Sequence, residues 1–503
     1  MQARMIATVA RNILANVAGA GLGMAVLLAV VPLYLRLLGA EAYGLVGLFT
    51  TVMVASTALD LGLGATLNRE VARLTARPRE DGDARDVAMT LEAAGWIVGV
   101  GVGALFAIAA PTVASRWLTL SALTPADVRV ALWLMAAALP ALIARGLYLA
   151  GLNGLQRQAL ANLVQVGGTI LRAGASVAAL SLLAPSVTVF FVTQTTLLYL
   201  ETLAMAVALR RSLPAIARGG RIRPSALRSL VGFSAGVSGT MVLGFALTSL
   251  DQVVLSALLP LAEFGYYTLA VAAANAVGQL VQPVTTAVYP RFSQLVERGD
   301  SRALADDYHF FSQLVAVLVL PLGGLLVFFP GDVLALWTRD AHVVHAVALV
   351  LGLRAIGTVL NALMHVPHVL QLAFGWSSLG AGVNALALVI VAPATVLLSR
   401  RWGGAGAAAV YIALNLAALL LAMGRMHRRV LPGELPRWYG RLLLPAAAVA
   451  VVAALSRAAM PDALGALARL AWLVATGALT AVVALSVAGG VRRRVLAAAQ
   501  RLG

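Results

Sequence analysis

With 503 residues, 61% of them hydrophobic and 11% charged, and a mean hydropathy of +0.91, the chain has too little charge for a soluble globular protein of its size. The formal net charge is +17, yet there is no soluble domain and no basic patch interleaved with aromatics to hold nucleic acid. The chain has no cysteine and no lysine, which excludes disulfides, thiolate metal sites and Walker-type GxxxxGK[ST] loops.

The apolar runs are helix-length rather than alternating ten-residue strands. Lipid cannot satisfy backbone polar groups, so they predict α-helical spans. About fourteen are expected, at 12–38, 44–67, 91–113, 130–152, 160–184, 187–210, 230–258, 264–290, 308–330, 344–371, 378–399, 404–425, 442–459 and 466–489. The first follows a basic N-terminus and is too long for a signal-peptide core, which predicts an uncleaved span. The last pair is also compatible with tilted or partly interfacial placement. About 26 arginines fall on the side of the N-terminus, among them Arg4, Arg11, the Arg69–Arg85 and Arg210–Arg228 groups, Arg157, Arg291–Arg302, Arg425–Arg441 and the tail. About 8 fall on the other: Arg36, Arg116, Arg129, Arg339, Arg400, Arg401, Arg457 and Arg469. This asymmetry predicts both termini in the cytoplasm. The longest external connection, about Ala114–Arg129, has no room for a catalytic domain.

The turn Leu38-Gly39-Ala40-Glu41-Ala42-Tyr43-Gly44 returns roughly 222 residues later as Leu259-Pro260-Leu261-Ala262-Glu263-Phe264-Gly265-Tyr266. The exits match as well, Asn68-Arg69 after span two and Pro290-Arg291 after span eight. An offset of six spans preserves orientation, which predicts parallel repeats about an axis along the membrane normal. The expected organisation is a six-helix lobe at 1–210, a basic cytoplasmic linker at 211–228, a second six-helix lobe at 229–426, and a basic loop, two extra helices and a tail at 427–503. Two such lobes predict a central cavity with alternating access.

At these residues the chain resembles the oligosaccharide flippase branch (Wzx-type, "polysaccharide biosynthesis protein") of the multidrug/oligosaccharidyl-lipid/polysaccharide exporter superfamily. The likeness is carried by Arg11-Asn12, the turn LLGAEAYGL, Asp60-Leu61-Gly62-Leu63-Gly64 and Asn68-Arg69-Glu70. It continues in Gly151-Leu152-Asn153-Gly154 with Arg157, Asp251, Glu263-Phe264-Gly265-Tyr266-Tyr267, Ala270 and Tyr289-Pro290-Arg291, and covers about residues 10–425. The resemblance implies two six-helix bundles in a V. It further implies movement of an undecaprenyl-diphosphate-linked glycan from the cytoplasmic to the periplasmic leaflet of the inner membrane, with membrane lipids and a polysaccharide polymerase as partners. The extra pair of spans is similar to that of peptidoglycan-precursor flippases, where it forms a lipid groove.

Charged side chains inside spans cost about 2.5 to 3.5 kcal/mol each at a helix centre, so each needs a reason. Arg172, Arg354 and Arg145 are candidates for contact with a diphosphate, since the guanidinium fork pairs with phosphate oxygens and stays charged. Alternatively Arg172 pairs with Glu201 on the adjacent span, Arg354 pairs with Asp251, and Arg145 snorkels to the interface. Asp251, Asp60 and Glu201 are candidates for coupling to Na+ or H+, and Asp60 alternatively pairs with Arg69 and Arg73 at a helix end. Asn275, Gln279 and Gln282, spaced four and three apart, are expected on one face of span eight as a glycan-facing wall or as interhelical hydrogen-bonders. Asn16, Asn153, Asn162, Gln165, Gln194, Asn361, Asn384 and Asn415 add polar groups to the spans.

Gly19–Gly23 and Gly99–Gly103 lie in apolar helices without a preceding strand and read as packing glycines rather than nucleotide loops. His365 and His368, and His342 with His345, have helical spacing but no evident third ligand, so no metal or other cofactor is expected. The leading expectation is lipid-linked oligosaccharide flipping rather than enzymatic catalysis, driven by an ion gradient, the membrane potential or downstream substrate consumption. The alternatives are an ion-coupled multidrug antiporter, disfavoured by arginines where a cation would bind, and a glycan polymerase or ligase, disfavoured by the lack of a large external loop.

Overall fold

The computed structural model describes the backbone of residues 2–75, 81–213, 221–222 and 224–499, with side chains for all of these except 2–18, 20, 75, 81–83, 224–240, 377–381, 383–386 and 495–499. The Arg11-Asn12 opening, Asn16, Asn384 and residues 214–220 of the basic linker lie outside the described side chains. The protein is an all-α, multi-pass membrane protein. Its helices fall into two compact units, 1–265 and 266–503.

The first unit holds α1 (Gln2–Leu38), α2 (Ala40–Leu59), α3 (Leu63–Thr75), α4 (Asp81–Thr112, ending in a π-helical turn to Trp117), α5 (Pro125–Gly154), α6 (Gln158–Leu182), α7 (Val187–Ser212) and α8 (Pro224–Leu258). Starts are capped as the sequence dictates: the Thr124 hydroxyl accepts the Asp127 N–H at 3.1 Å ahead of Pro125, and Ser186 accepts that of Val189 at 3.2 Å. Helix α5 is the centre of this unit, packed against α3, α4 and α7. Helix α4 approaches it closely, for a Cβ on Gly99 would lie 2.7 Å from Pro140 Cα. That is the packing role expected of this run.

The second unit comprises α9 (Leu261–Gln279, whose first turn belongs to the first unit), α10 (Gln282–Glu297), α11 (Ser301–Phe328), α12 (Pro330–Thr338), α13 (Ala341–Leu363) and α14 (His365–Ala373). It continues through α15 (Ser377–Ala417), a π-helical turn, α16 (Met423–Val430), α17 (Leu435–Ala458), α18 (Ala466–Val487) and α19 (Gly489–Ala499). The extra pair, α17 and α18, packs against α11 and is tied together by Trp472 Nε1 donating to Ser456 Oγ at 3.0 Å.

Twelve helical stretches among the described residues are long and apolar enough to span a membrane. The count matches the fourteen expected crossings once two details are read. The stretch Ala387–Val430 contains two spans folded at Gly403 (φ 56°, ψ −137°), and the crossing expected at 264–290 is the broken pair α9–α10. The broken crossings correct the expected continuous spans. Between α2 and α3, Leu61 (φ 54°) and Gly62 (φ 70°) turn the chain left-handed. Between α9 and α10, Pro283 has no N–H to return to Gln279, so Leu280 and Val281 bond three residues back, at 3.3 and 3.1 Å. The two breaks stand at equivalent places in the repeat.

The repeated turns meet inside the first unit. A Cβ on Gly44 would lie 2.2 Å from the Leu261 carbonyl oxygen, and one on Gly265 would lie 2.6 Å from that of Ala40. Only glycine permits backbone to approach backbone this closely. Leu261 N–H donates to Thr119 O at 3.0 Å, which brings the 114–124 connection into the same layer.

Candidate functional site in the buried arginines

Three ionisable residues from separate helices converge inside the first unit. Arg145 on α5 pairs with Glu201 Oε1 on α7 at 2.9 Å, and Arg172 on α6 pairs with the other oxygen, Oε2. The Glu201 side chain is 1% exposed, that of Arg172 11% and that of Arg145 18%. Gly168, one turn ahead of Arg172, makes room: a Cβ there would lie 2.5 Å from Glu201 Oε2. Two guanidiniums share one carboxylate, so the cluster keeps a surplus positive charge. Arg145 Nε is buried with no hydrogen-bond partner among the described residues, a donor that burial makes costly unless something accepts from it. The expected Arg172–Glu201 pair is formed, and Arg145 turns inward to join it instead of snorkelling. Nearby, Tyr34 packs edge-on against Phe190 with centroids 5.0 Å apart, and Gln194 Nε2 donates to Ser176 Oγ at 3.2 Å.

The second unit buries one arginine in a different way. Arg354 on α13 is 3% exposed, with its guanidinium carbon 3.7 Å from the centroid of Tyr411 on α15. Its Nη1 donates to Tyr267 Oη at 3.5 Å, so the tyrosine immediately after the repeated turn reaches this site. Gly357 gives the Tyr411 ring its space, as a Cβ there would lie 2.4 Å from the ring. Asp251 lies in the first unit, 8% exposed, with Oδ1 accepting the Gln252 N–H at 2.9 Å.

Other candidates have more local roles. Asp60 does not pair with Arg69 or Arg73. Its oxygens accept the N–H groups of Gly62 at 2.7 Å and Gly64 at 3.2 Å, where the left-handed turn leads into α3. Both arginines fork onto Glu70 instead, at 2.7 and 2.9 Å. Asn275, Gln279 and Gln282 are all exposed, but they share no continuous helical face because α9 ends at Gln279 and α10 begins at Gln282. Asn361 donates to Asn415 at 2.9 Å, joining α13 to α15, and His365 Nδ1 lies 3.0 Å from the Asn361 carbonyl oxygen.

Glu41 is a positioning residue that sequence reasoning passed over as mere turn signature. It is buried, and its carboxylate accepts the consecutive N–H groups of Ser121 at 2.7 Å, Ala122, and Leu123 at 3.2 Å, fixing the 114–124 connection. Its repeat counterpart Glu263 is exposed. A carboxylate recurring beside a glycine that must be glycine was the available signal.

A family model described as "Polysaccharide biosynthesis protein" matches residues 9–296. No curated protein matches. Among solved structures, the lipid II flippase MurJ in an inward closed conformation superposes with a TM-score of 0.72 at 11% identity, covering 94% of this chain and 97% of that one. An inward-facing multidrug resistance MATE transporter of the MOP superfamily superposes with a TM-score of 0.66 at 14% identity, covering 80% and 95%. A MOP superfamily transporter from Pyrococcus furiosus, described as having a binding pocket of reverse polarity, gives a TM-score of 0.57 at 15% identity, covering 84% and 96%. These likenesses establish the fold that the chain shares with MOP superfamily transporters.

Proposed function

The chain belongs to the polysaccharide biosynthesis protein family, and from that premise we propose that it flips an undecaprenyl-diphosphate-linked oligosaccharide from the cytoplasmic to the periplasmic leaflet of the bacterial inner membrane. The two related halves provide alternating access, both termini lie in the cytoplasm, and the glycan feeds synthesis of an O-antigen, capsule or exopolysaccharide, with a polymerase as downstream partner. A lipid II flippase among the proteins of the same fold supports a lipid-linked cargo.

The observation that carries this reading is the charge imbalance at Glu201: two buried guanidiniums, one carboxylate and one unpartnered Nε. A diphosphate is dianionic, or nearly so, and offers planar sets of acceptor oxygens to those forks. It can take one guanidinium from Glu201 without leaving the other unpaired. A cationic drug would meet repulsion at the same place, which disfavours the multidrug reading suggested by the other relatives. Arg354 between Tyr267 and Tyr411 is the corresponding candidate in the second half, and the exposed Asn275, Gln279 and Gln282 are proposed to meet the glycan. Asp251, an ionisable carboxylate 8% exposed within a span, is the candidate for Na+ or H+ coupling.

The test is flipping of a defined lipid-linked glycan in proteoliposomes. Arg172→Ala and Arg145→Ala should each lower the initial rate about 10-fold or more, the worth of one charged hydrogen bond to phosphate, in protein that remains monodisperse. Wild-type rates in both variants would remove the cluster from the transport path.

A further inference from the structure

Between α11, α17 and α19 the second unit contains two adjoining cavities of about 210 and 240 Å³. Arg441 and Arg493 line both. Neighbouring arginines are already committed: Arg494 pairs with Asp307 at 3.0 Å and lies over the Phe310 ring, and Arg492 donates to the Ser486 carbonyl. Among the described residues neither Arg441 nor Arg493 forms an ion pair with a carboxylate, although Glu434 and Asp306 act on Arg441 from beyond contact distance. Asp306, on the wall of the more polar cavity, forms an ion pair with neither. The other cavity ends in Leu444, Pro445 and Val487, on the spans α17 and α18. Gln313, on the wall of the less polar cavity, is 4% exposed. Its Oε1 accepts the Gly490 N–H at 3.1 Å, which leaves the amide N–H groups as further donors.

We infer that this cleft holds the phosphate headgroup of an anionic membrane phospholipid, with the phosphate between Arg441 and Arg493 and the start of an acyl chain along Leu444 and Val487. Two guanidiniums facing one small space repel each other until an anion lies between them. A lipid fits better than a free anion because the space is amphipathic along its length, with its apolar end on the spans α17 and α18 and its basic end between Arg441, near the start of α17, and Arg493 on α19. Basic clefts between transmembrane helices at the span boundary bind anionic headgroups through the same combination. The lipid would fasten α17–α19 to α11 and is separate from the cargo arginines of the first half.

Titrating purified full-length protein with phosphatidylglycerol, and counting retained lipids by native mass spectrometry, tests this directly. Arg441→Gln and Arg493→Gln should each weaken the tightest phosphatidylglycerol binding about fivefold, and together about 25-fold, the scale expected per basic residue at an anionic headgroup. Arg302→Gln, exposed and outside the cleft, should leave it unchanged. Arg493 is on the exposed side of α19, so Arg493→Gln alone decides the matter if Arg441→Gln proves unstable. Unaltered phosphatidylglycerol affinity in Arg493→Gln, equal binding of phosphatidylcholine, or displacement by millimolar inorganic phosphate would each overturn the assignment.

Discussion

Replacing Glu201 with glutamine leaves Arg145 and Arg172 facing a neutral amide deep in the bundle, and breaking a buried pair in this way costs about 3 to 5 kcal/mol. Glu201→Gln is therefore expected to lower the melting temperature sharply, more than Arg145→Ala, because it strands two charges instead of removing one. Gly168→Ala should do part of the same damage by pushing the carboxylate away from Arg172. If Glu201→Gln melts like the wild type in a detergent thermal-shift measurement, the carboxylate is not the structural counter-ion described. A separate prediction concerns Glu70, outside the spans. Burial pushes its carboxyl up, but the hydrogen bonds and charges of Arg69 and Arg73 together outweigh burial and hold it below its ordinary 4.5. A depressed folded-state value means that its stabilisation is complete above the unfolded-state value and is lost as the pH falls through the folded one. The loss of stability between about pH 5 and pH 3 should be shallower in Glu70→Gln than in the wild type, read by melting temperature against pH. That Arg145, Arg172 and Glu201 each need a polar partner was legible from charge in an apolar run. That Arg145 turns inward was not, because helical periodicity specifies a face and not which neighbour fills it.

At the scale of single helices, the sequence read α2–α3 and α9–α10 as unbroken spans because hydropathy averages over the interruptions. Local chemistry marked both breaks in retrospect: Asp60-Leu61-Gly62 offers a capping carboxylate beside a glycine able to turn left-handed, and Pro283 removes a helical donor. Asp60→Ala should destabilise the start of α3 by about 1 kcal/mol, the usual worth of a lost cap. Hydrogen exchange should show faster exchange at the Gly62 and Gly64 amides. Pro283→Ala should act oppositely, restoring a donor near Gln279 and slowing exchange across 280–284. Unchanged exchange in both variants would show that packing, not these two residues, holds the helices apart. The same breaks dissolved the supposed polar face of Asn275, Gln279 and Gln282, since a spacing argument holds only while one helix continues.

For the molecule as a whole, composition and run length were enough to read about fourteen crossings, because the hydrocarbon thickness imposes one span length on every segment, while the duplicated plan was read from the recurring turn. The duplication is less even in use than in sequence. Glu41 is buried on three backbone N–H groups, whereas Glu263 is exposed, and nothing in the matching letters distinguishes them. The proposed orientation is open to test because the natural chain has no cysteine. A single Thr119→Cys should react with an impermeant maleimide added to intact cells, whereas Arg302→Cys should react only after the cells are opened. The reverse pattern would invert the topology.

The odd charge at Glu201 also has an electrical side. A net unit charge that changes depth during a working cycle exchanges about 2.3 kcal/mol with each 100 mV across the bilayer. An empty carrier would feel the resting voltage through its spare guanidinium, while one holding a dianionic headgroup would feel it with opposite sign. The voltage would thus push the unloaded and loaded forms in contrary directions, a bias that needs no dedicated ion-binding residue.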